Sequence, residues 1–261
     1  MPTMSSLQML ESARQAHREK RYAEAEALCR DLLERTPADG EVPYLLGLIL
    51  HQTSRDAEAQ HWLRRAAALD PRSPHAWYAL GCACAAAGDA AGAADAFGAA
   101  LQRNPTDLNA HYGLGNACYE LRDFERAVSV YRQALALNPQ DHELWNNLGR
   151  ALEALLRTGD ALAAYERAIQ IQPEFALARS NHALALLSLA ACRKGSANTN
   201  GGGAASPRAR TRSRSGAANR SRARACWSVP SRALEMSSSS PALRPRPARS
   251  PGESFLNARL R

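Results

Sequence analysis

The sequence predicts an all-α protein in which pairs of helices stack into an α-solenoid, followed by a disordered C-terminal tail. Three observations support this prediction. Proline recurs every 34 residues as far as residue 173, other small and apolar residues recur with the same period, and the composition changes abruptly after residue 192. A period of this length fits one pair of helices, which buries its apolar face only by stacking against the next pair.

The repeated residues have distinct mechanical roles. Proline has no N–H group and disfavours helix at the residue before it, so it closes the second helix of each repeat. Glycine in the first helix allows the two helices of a repeat to approach closely. The two series are Pro37, Pro71, Pro105, Pro139 and Pro173, and Gly47, Gly81, Gly115 and Gly149.

The period divides the chain into repeats. Residues 1–39 form a degenerate N-terminal repeat or cap, 40–73, 74–107, 108–141 and 142–175 form regular repeats, and 176–192 form the first helix of an incomplete repeat. The N-terminal repeat has Ser12 and Ala13 where later repeats have Leu-Gly. Because the last repeat lacks its second helix, we expect Leu177, Leu184 and Leu187 to be partly uncovered and to favour self-association.

The repeat at 74–107 resembles the tetratricopeptide repeat (TPR) family. The segment Trp77-Tyr78-Ala79-Leu80-Gly81 matches the first half of the TPR pattern, and Ala93, Phe97, Ala100 and Pro105 match the second half. The resemblance implies a right-handed superhelix in which the first helix of each pair lines a concave groove. It also implies that the groove binds another protein or a peptide.

The helix faces of that family, mapped onto this chain, give six candidate groove residues. Tyr44, Tyr78, Tyr112 and Asn146 share one position of the first helix, and Asn116 and Arg150 share another. Stacked rings beside amides could hold an extended peptide by ring contacts and backbone hydrogen bonds. Alternatively, the tyrosines only pack against one another. A two-carboxylate clamp, as in chaperone-binding TPR proteins, needs a basic cluster, and only Arg150 is suitably placed for one.

Residues 1–192 contain no arrangement typical of an enzyme, a metal site or a cofactor site. The seven histidines fall on different faces of the predicted helices and share no recurring acidic or thiol partner. The cysteines form no CxxC pair, and they fit buried apolar positions or free thiols of a reducing compartment. The chain has neither a secretory signal pattern nor a stretch long enough to span a bilayer. We therefore expect a cytoplasmic protein without a membrane partner.

The tail, residues 193–261, differs from the repeats in charge and composition. It has 15 Lys and Arg residues against 2 Asp and Glu residues, whereas residues 1–192 have 18 against 23. Its abundance of Ser, Arg, Ala, Pro and Gly predicts disorder. One interpretation is an arginine-rich arm on a nucleic-acid-associated scaffold, which would bind phosphates. The acidic balance of the repeats does not favour this partner.

A second interpretation is that the tail is translated out of frame. GC-rich DNA in the wrong frame yields this composition, and the change falls where a second helix is expected. Back-translated one nucleotide earlier, Leu189 to Gly203 can encode GRLPEGF-x-EYEWRWR, and Cys226 to Ala242 can encode LVGAEQGLGDVIQFAR. These segments resemble a bacterial family in which TPR arrays precede a glycosyltransferase-like domain. The resemblance implies that this chain keeps the acceptor-presenting part of such an enzyme without its catalytic domain.

Overall fold

The computed structural model describes residues 5–36 and 40–199, and every regular element in these residues is an α-helix. In chain order the helices are α1 (Ser6–Arg18), α2 (Tyr22–Arg35), α3 (Glu41–Gln52), α4 (Asp56–Leu69), α5 (Pro74–Ala86), α6 (Ala90–Arg103), α7 (Leu108–Glu120), α8 (Phe124–Leu137), α9 (His142–Ala154), α10 (Thr158–Ile171) and α11 (Ala176–Thr199). The predicted all-α solenoid is confirmed. The predictions for Pro37 and for residues 200–261 of the tail lie outside the described residues.

The helices stack in sequence order. Each helix packs against the next one in the chain, so every pair also packs against the following pair. The first helices of neighbouring pairs contact one another as well. The first helices α3, α5, α7, α9 and α11 therefore form a continuous surface along the stack, which we call the inner surface.

The prolines of the repeat lie between one repeat and the next. Pro71, Pro105, Pro139 and Pro173 each come directly after the C-cap residue of a second helix. A capping side chain then starts the next helix: Asp107 accepts hydrogen bonds from the N–H groups of Asn109 and Ala110. Asp141 makes the equivalent contacts in α9. These bonds satisfy N–H groups that the start of a helix leaves unpaired.

The turn inside each helix pair repeats a left-handed backbone conformation. The φ angle is 60° at Lys20, 65° at Ser54, 83° at Gly88, 63° at Arg122 and 60° at Leu156. These residues are 34 apart in the sequence, yet they share no chemical character. Glycine adopts this conformation without strain, and only one of the five turns has glycine there.

The first-helix glycines face large apolar residues of the second helix in the same repeat. The pairs are Gly47–Leu63, Gly81–Phe97, Gly115–Tyr131 and Gly149–Tyr165. A Cβ atom added at any of these glycines would lie closer than 3.0 Å to the facing side chain. The glycine side of each first helix is therefore turned towards its own second helix, and the inner surface lies on another side.

The last helix is longer than the sequence predicts. We expected the tail to begin at residue 193, whereas α11 continues to Thr199. Residues 193–199 are mostly Arg, Lys, Ser and Ala, which an α-helix accommodates, while glycine is poorly suited to a helix interior. The run of three glycines at 201–203 is consequently a stronger helix-stopping signal than the single Gly195.

Candidate functional site

The inner surface is built from contacts between side chains of neighbouring first helices. The Tyr112 hydroxyl of α7 donates a hydrogen bond of 3.5 Å to Glu143 Oε2 of α9. Two turns further along, the guanidinium carbon of Arg150 lies 4.5 Å from the centre of the Tyr119 ring. Both contacts join α7 to α9, so they place two tyrosines, a carboxylate and a guanidinium on one strip of the surface.

Two of the predicted groove tyrosines are engaged in packing. Tyr44 is half-buried and lies against a cluster of buried alanines, Ala66, Ala67 and Ala76. Tyr78 is only 9% exposed, and its ring centre lies 5.7 Å from that of Phe97. Burial raises the pKa of both phenols above their usual range. The contacts of these two rings fit the packing role that the sequence left open.

Asn146, the predicted counterpart of the tyrosines in α9, is also buried. Its side chain is 1% exposed, and its Oδ1 atom accepts a hydrogen bond of 2.9 Å from Asn181 Nδ2 of α11. Its amide nitrogen donates to Asn147 Oδ1 at 3.5 Å. Because a buried amide needs partners for both its atoms, these bonds make Asn146 part of the junction between α9 and α11.

The other three predicted residues come together between α7 and α9. Tyr112, Asn116 and Arg150 are all partly exposed there, and Tyr119 joins them through the ring that Arg150 covers. Arg150 forms no ion pair among the described residues. We call Tyr112, Asn116, Tyr119 and Arg150 the α7–α9 cluster. It combines an unpaired cation, two aromatic rings and an amide.

Buried tyrosines of the second helices donate hydrogen bonds to one side chain of this cluster and to one side chain beside it. The buried Tyr131 hydroxyl donates a hydrogen bond of 2.7 Å to Asn116 Oδ1, and the buried Tyr165 hydroxyl donates one of 2.9 Å to Glu153 Oε2. Burial raises the pKa of both tyrosines, so both hydroxyls keep their protons and act as donors. The asparagine is thus held with its amide nitrogen available to a ligand.

Sequence reasoning placed Tyr119 a turn beyond Asn116, and it did not include Glu143 and Glu153 among the groove residues. Their signal is positional, since Tyr119 and Glu153 are 34 residues apart and Tyr119 lies seven residues, or two helical turns, after Tyr112. The spacing identifies the face of the helix. It does not reveal which side chains are taken up by neighbours, and that information comes only from the contacts.

Three exposed leucines of α11 lie on the inner surface. Leu177, Leu184 and Leu187 are 37%, 61% and 68% exposed, and they follow Glu143, Arg150 and Glu153 by 34 residues each. Their exposure agrees with expectation, but the stated cause was wrong. The face that a missing second helix would cover is the one equivalent to Gly149, and it carries Ala183 and Leu186.

The thiols of the repeats are unsuited to nucleophilic chemistry. Cys29, Cys82, Cys84 and Cys118 are buried and unpaired with one another. Burial raises the pKa of Cys29 and Cys82 to about 12 and that of Cys84 to about 11. At neutral pH these thiols remain protonated, and the thiolate is the reactive form. Cys82 is 0% exposed.

The described residues lack a candidate metal site and a candidate membrane span. They contain no group of three or more His, Cys, Asp or Glu side chains that could hold a metal ion. None of their helices combines the length and the apolar character needed to cross a membrane.

Comparison with known protein families identifies the repeats. A tetratricopeptide repeat model matches residues 78–142 and 112–176, and a second one matches residues 16–81. Together these matches cover more than half of the chain. The chain belongs to the tetratricopeptide repeat family. No curated protein matches this chain.

Solved TPR structures share this fold. The crystal structure of YrrB, a TPR protein with an unusual peptide-binding site, superposes with a TM-score of 0.64 at 19% identity, over 67% of this chain and 91% of that chain. A crystal structure of MamA superposes with a TM-score of 0.62 at 20% identity, over 66% of this chain and 93% of that chain. At this level of identity the likeness concerns the TPR fold alone.

Proposed function

We propose that this TPR array is a protein-interaction module that binds an extended segment of another protein along its inner surface, in the cytoplasm and without a catalytic step. The observation that carries the proposal is the α7–α9 cluster. Arg150 is stacked on the Tyr119 ring and has no carboxylate partner among the described residues. The pair therefore presents guanidinium N–H donors and the edge of an aromatic ring to a ligand on the surface.

The rest of the cluster suits an extended backbone. The Asn116 amide is held by Tyr131 from behind, which leaves its nitrogen to donate to a peptide carbonyl. Tyr112 is anchored through its hydroxyl to Glu143, and its ring forms a fixed apolar wall. Pre-organised side chains lose little conformational entropy when a ligand binds. Tyr44, Tyr78 and Asn146 are assigned a supporting role, because their contacts lie within the array.

The experiment is a selection of random dodecapeptides by display on the immobilised full-length chain. Recovered peptides are then titrated against the wild type, the Tyr119→Ala variant and the matched surface control Arg132→Ala, in which an exposed arginine of α8 is removed. We expect Tyr119→Ala to weaken binding by roughly tenfold or more, since a ring contact and a cation-stacking platform are lost together. Recovery of no peptide, or equal binding to the Tyr119→Ala variant, would contradict the proposal.

Self-association is a second candidate function, and the face of α11 that carries Ala183 and Leu186 favours it. Leu186 is 46% exposed at the position where the other first helices are covered by their second helix. A second copy of the chain could cover this face. Sedimentation velocity tests the idea, because the Leu186→Ser variant should sediment as a smaller species than the wild type. A wild-type chain that is monomeric at high concentration would exclude it.

Two predictions about the tail remain open. Loss of the reading frame near Leu189 would make the chain a remnant of a TPR glycosyltransferase, and resequencing of the locus tests this directly. An arginine-rich arm would instead give an RNA affinity that falls steeply with salt and disappears when residues 200–261 are removed. Neither outcome affects the function proposed for the repeats.

A further inference from the structure

The α7–α9 cluster continues into an apolar patch on α11. Leu184 and Leu187 occupy the positions of α11 that correspond to Arg150 and Glu153 in α9. They are the most exposed leucines of that helix, at 61% and 68%. Neighbouring first helices are joined between these positions elsewhere in the array, as the contact of Arg150 with Tyr119 shows. By the same register Leu184 lies next to Glu153, one turn of α9 from Arg150, so the cation and the leucines belong to one surface.

Two carboxylates of this surface are held by tyrosine hydroxyls, whereas Arg150 has no anionic partner among the described residues. Glu143 accepts a hydrogen bond from Tyr112, and Glu153 accepts one from Tyr165. The Arg150 guanidinium stacks on the Tyr119 ring, and its charge also acts on two buried tyrosine hydroxyls, but no ion pair holds it among the described residues. A guanidinium presents N–H donors in a fork that matches a carboxylate. The chemistry that completes the surface is thus one carboxylate beside one apolar side chain.

We propose that the inner surface selects an extended peptide with an acidic residue bound to Arg150 and an apolar residue, such as leucine, bound to Leu184 and Leu187. This inference rests on the proposed function and names its ligand class. Packed helices lie about 8–10 Å apart, and an extended chain advances about 3.3 Å per residue. The acidic and apolar residues of the ligand are therefore three positions apart.

The test uses fluorescein-labelled dodecapeptides that carry Asp and Leu three positions apart in a Gly/Ser/Ala background. Both orders of the two residues are synthesised, together with versions in which Asn replaces Asp or Ala replaces Leu. Fluorescence anisotropy is measured with the full-length wild type, Arg150→Gln and the double variant Leu184→Ser/Leu187→Ser. Arg132→Gln and Leu137→Ser are the controls, because both residues are exposed on α8.

One order of the Asp/Leu peptide should bind the wild type best. Replacement of Asp by Asn should weaken binding roughly tenfold, as expected for a lost charge-assisted hydrogen bond. The Arg150→Gln variant should lose the same factor with the Asp peptide and almost nothing with the Asn peptide. The double leucine variant should behave in the same way towards the Leu and Ala peptides. Circular dichroism checks that every variant keeps its helical content.

Equal affinities for the Asp and Asn peptides, or equal loss in the α8 controls, would overturn the inference. Peptides recovered by display that depend on Tyr119 but lack an acidic and an apolar residue at this spacing would overturn it as well, while the proposed binding function would stand. A change from dimer to monomer in the double leucine variant would assign the leucines to a second copy of the chain and also overturn it.

Discussion

The hydroxyl group of Tyr131 donates a hydrogen bond of 2.7 Å to Asn116 Oδ1, and so joins the second helix α8 to the inner surface on α7. The same ring fills the space opposite Gly115. One residue thus contributes both to the packing of its repeat and to the orientation of a candidate ligand-binding amide. Changes at this pair therefore distinguish packing from positioning.

The Tyr131→Phe variant should keep the packing and lose the hydrogen bond. We expect the free energy of unfolding to fall by about 1 kcal/mol, because Asn116 Oδ1 loses its donor in a partly buried place. Urea denaturation followed by circular dichroism measures the change. In a double-mutant cycle with Asn116→Ala, the coupling energy should be of the same size. Additive effects of the two substitutions would show that the bond contributes nothing.

Two glycines of the array should respond in opposite ways to replacement by alanine. Gly115→Ala places a methyl group against the Tyr131 ring, closer than 3.0 Å, and should destabilise the array by roughly 1–3 kcal/mol. Gly98→Ala in α6 meets no atom within 4 Å and should stabilise it by roughly 0.5–1 kcal/mol, since alanine favours helix over glycine. The two melting temperatures, measured side by side, check both signs.

Leu156 stands in the left-handed turn between α9 and α10, with a φ angle of 60° and 88% of its side chain exposed. Removal of such an exposed leucine side chain gives up little apolar burial, and glycine adopts the left-handed conformation without strain. The Leu156→Gly variant should therefore be more stable by up to about 1 kcal/mol. Gly88→Ala, at the equivalent turn, should be less stable by a similar amount. A lower melting temperature for Leu156→Gly would contradict this account.

These turns also show where sequence reasoning reaches its limit. The repeat was predictable from Pro71, Gly81 and their counterparts, because each plays a mechanical role that few other residues can fill. The turn was not, because Lys20, Ser54 and Leu156 adopt the same φ under the demand of the surrounding helices. Local preference is overruled there by tertiary packing.

The candidate site was predictable only in part, for a related reason. The resemblance to TPR repeats, mapped onto the period, predicted the helix face that carries Tyr78, Tyr112 and Arg150. It could not tell that Tyr78 is buried against Phe97 while Arg150 stays partly exposed above Tyr119. Exposure depends on the size of the residues that neighbouring repeats contribute, which the period alone does not specify.

His17 predicts a pH dependence at the N-terminal end of the array. It is 5% exposed, and neither ring nitrogen makes a hydrogen bond of regular geometry among the described residues. Burial lowers its pKa, the nearby Gln52 side chain opposes this shift, and the charge of Arg18 adds to it. The folded chain therefore keeps the ring neutral at a pH where the unfolded chain already binds a proton.

The sign of the effect follows from this difference in proton binding. The contribution of His17 to stability should be constant above about pH 7 and fall as the pH drops below about 6.5, by at most about 1.4 kcal/mol per pH unit. The His17→Gln variant cannot take up that proton, so its loss of stability between about pH 7 and about pH 5 should be smaller. His61→Gln, at an exposed histidine of α4, serves as the control and should keep the wild-type slope. Urea denaturation at each pH gives the three slopes, and equal slopes for His17→Gln and the wild type would mean that the ring of His17 is protonated in the folded chain as readily as in the unfolded one.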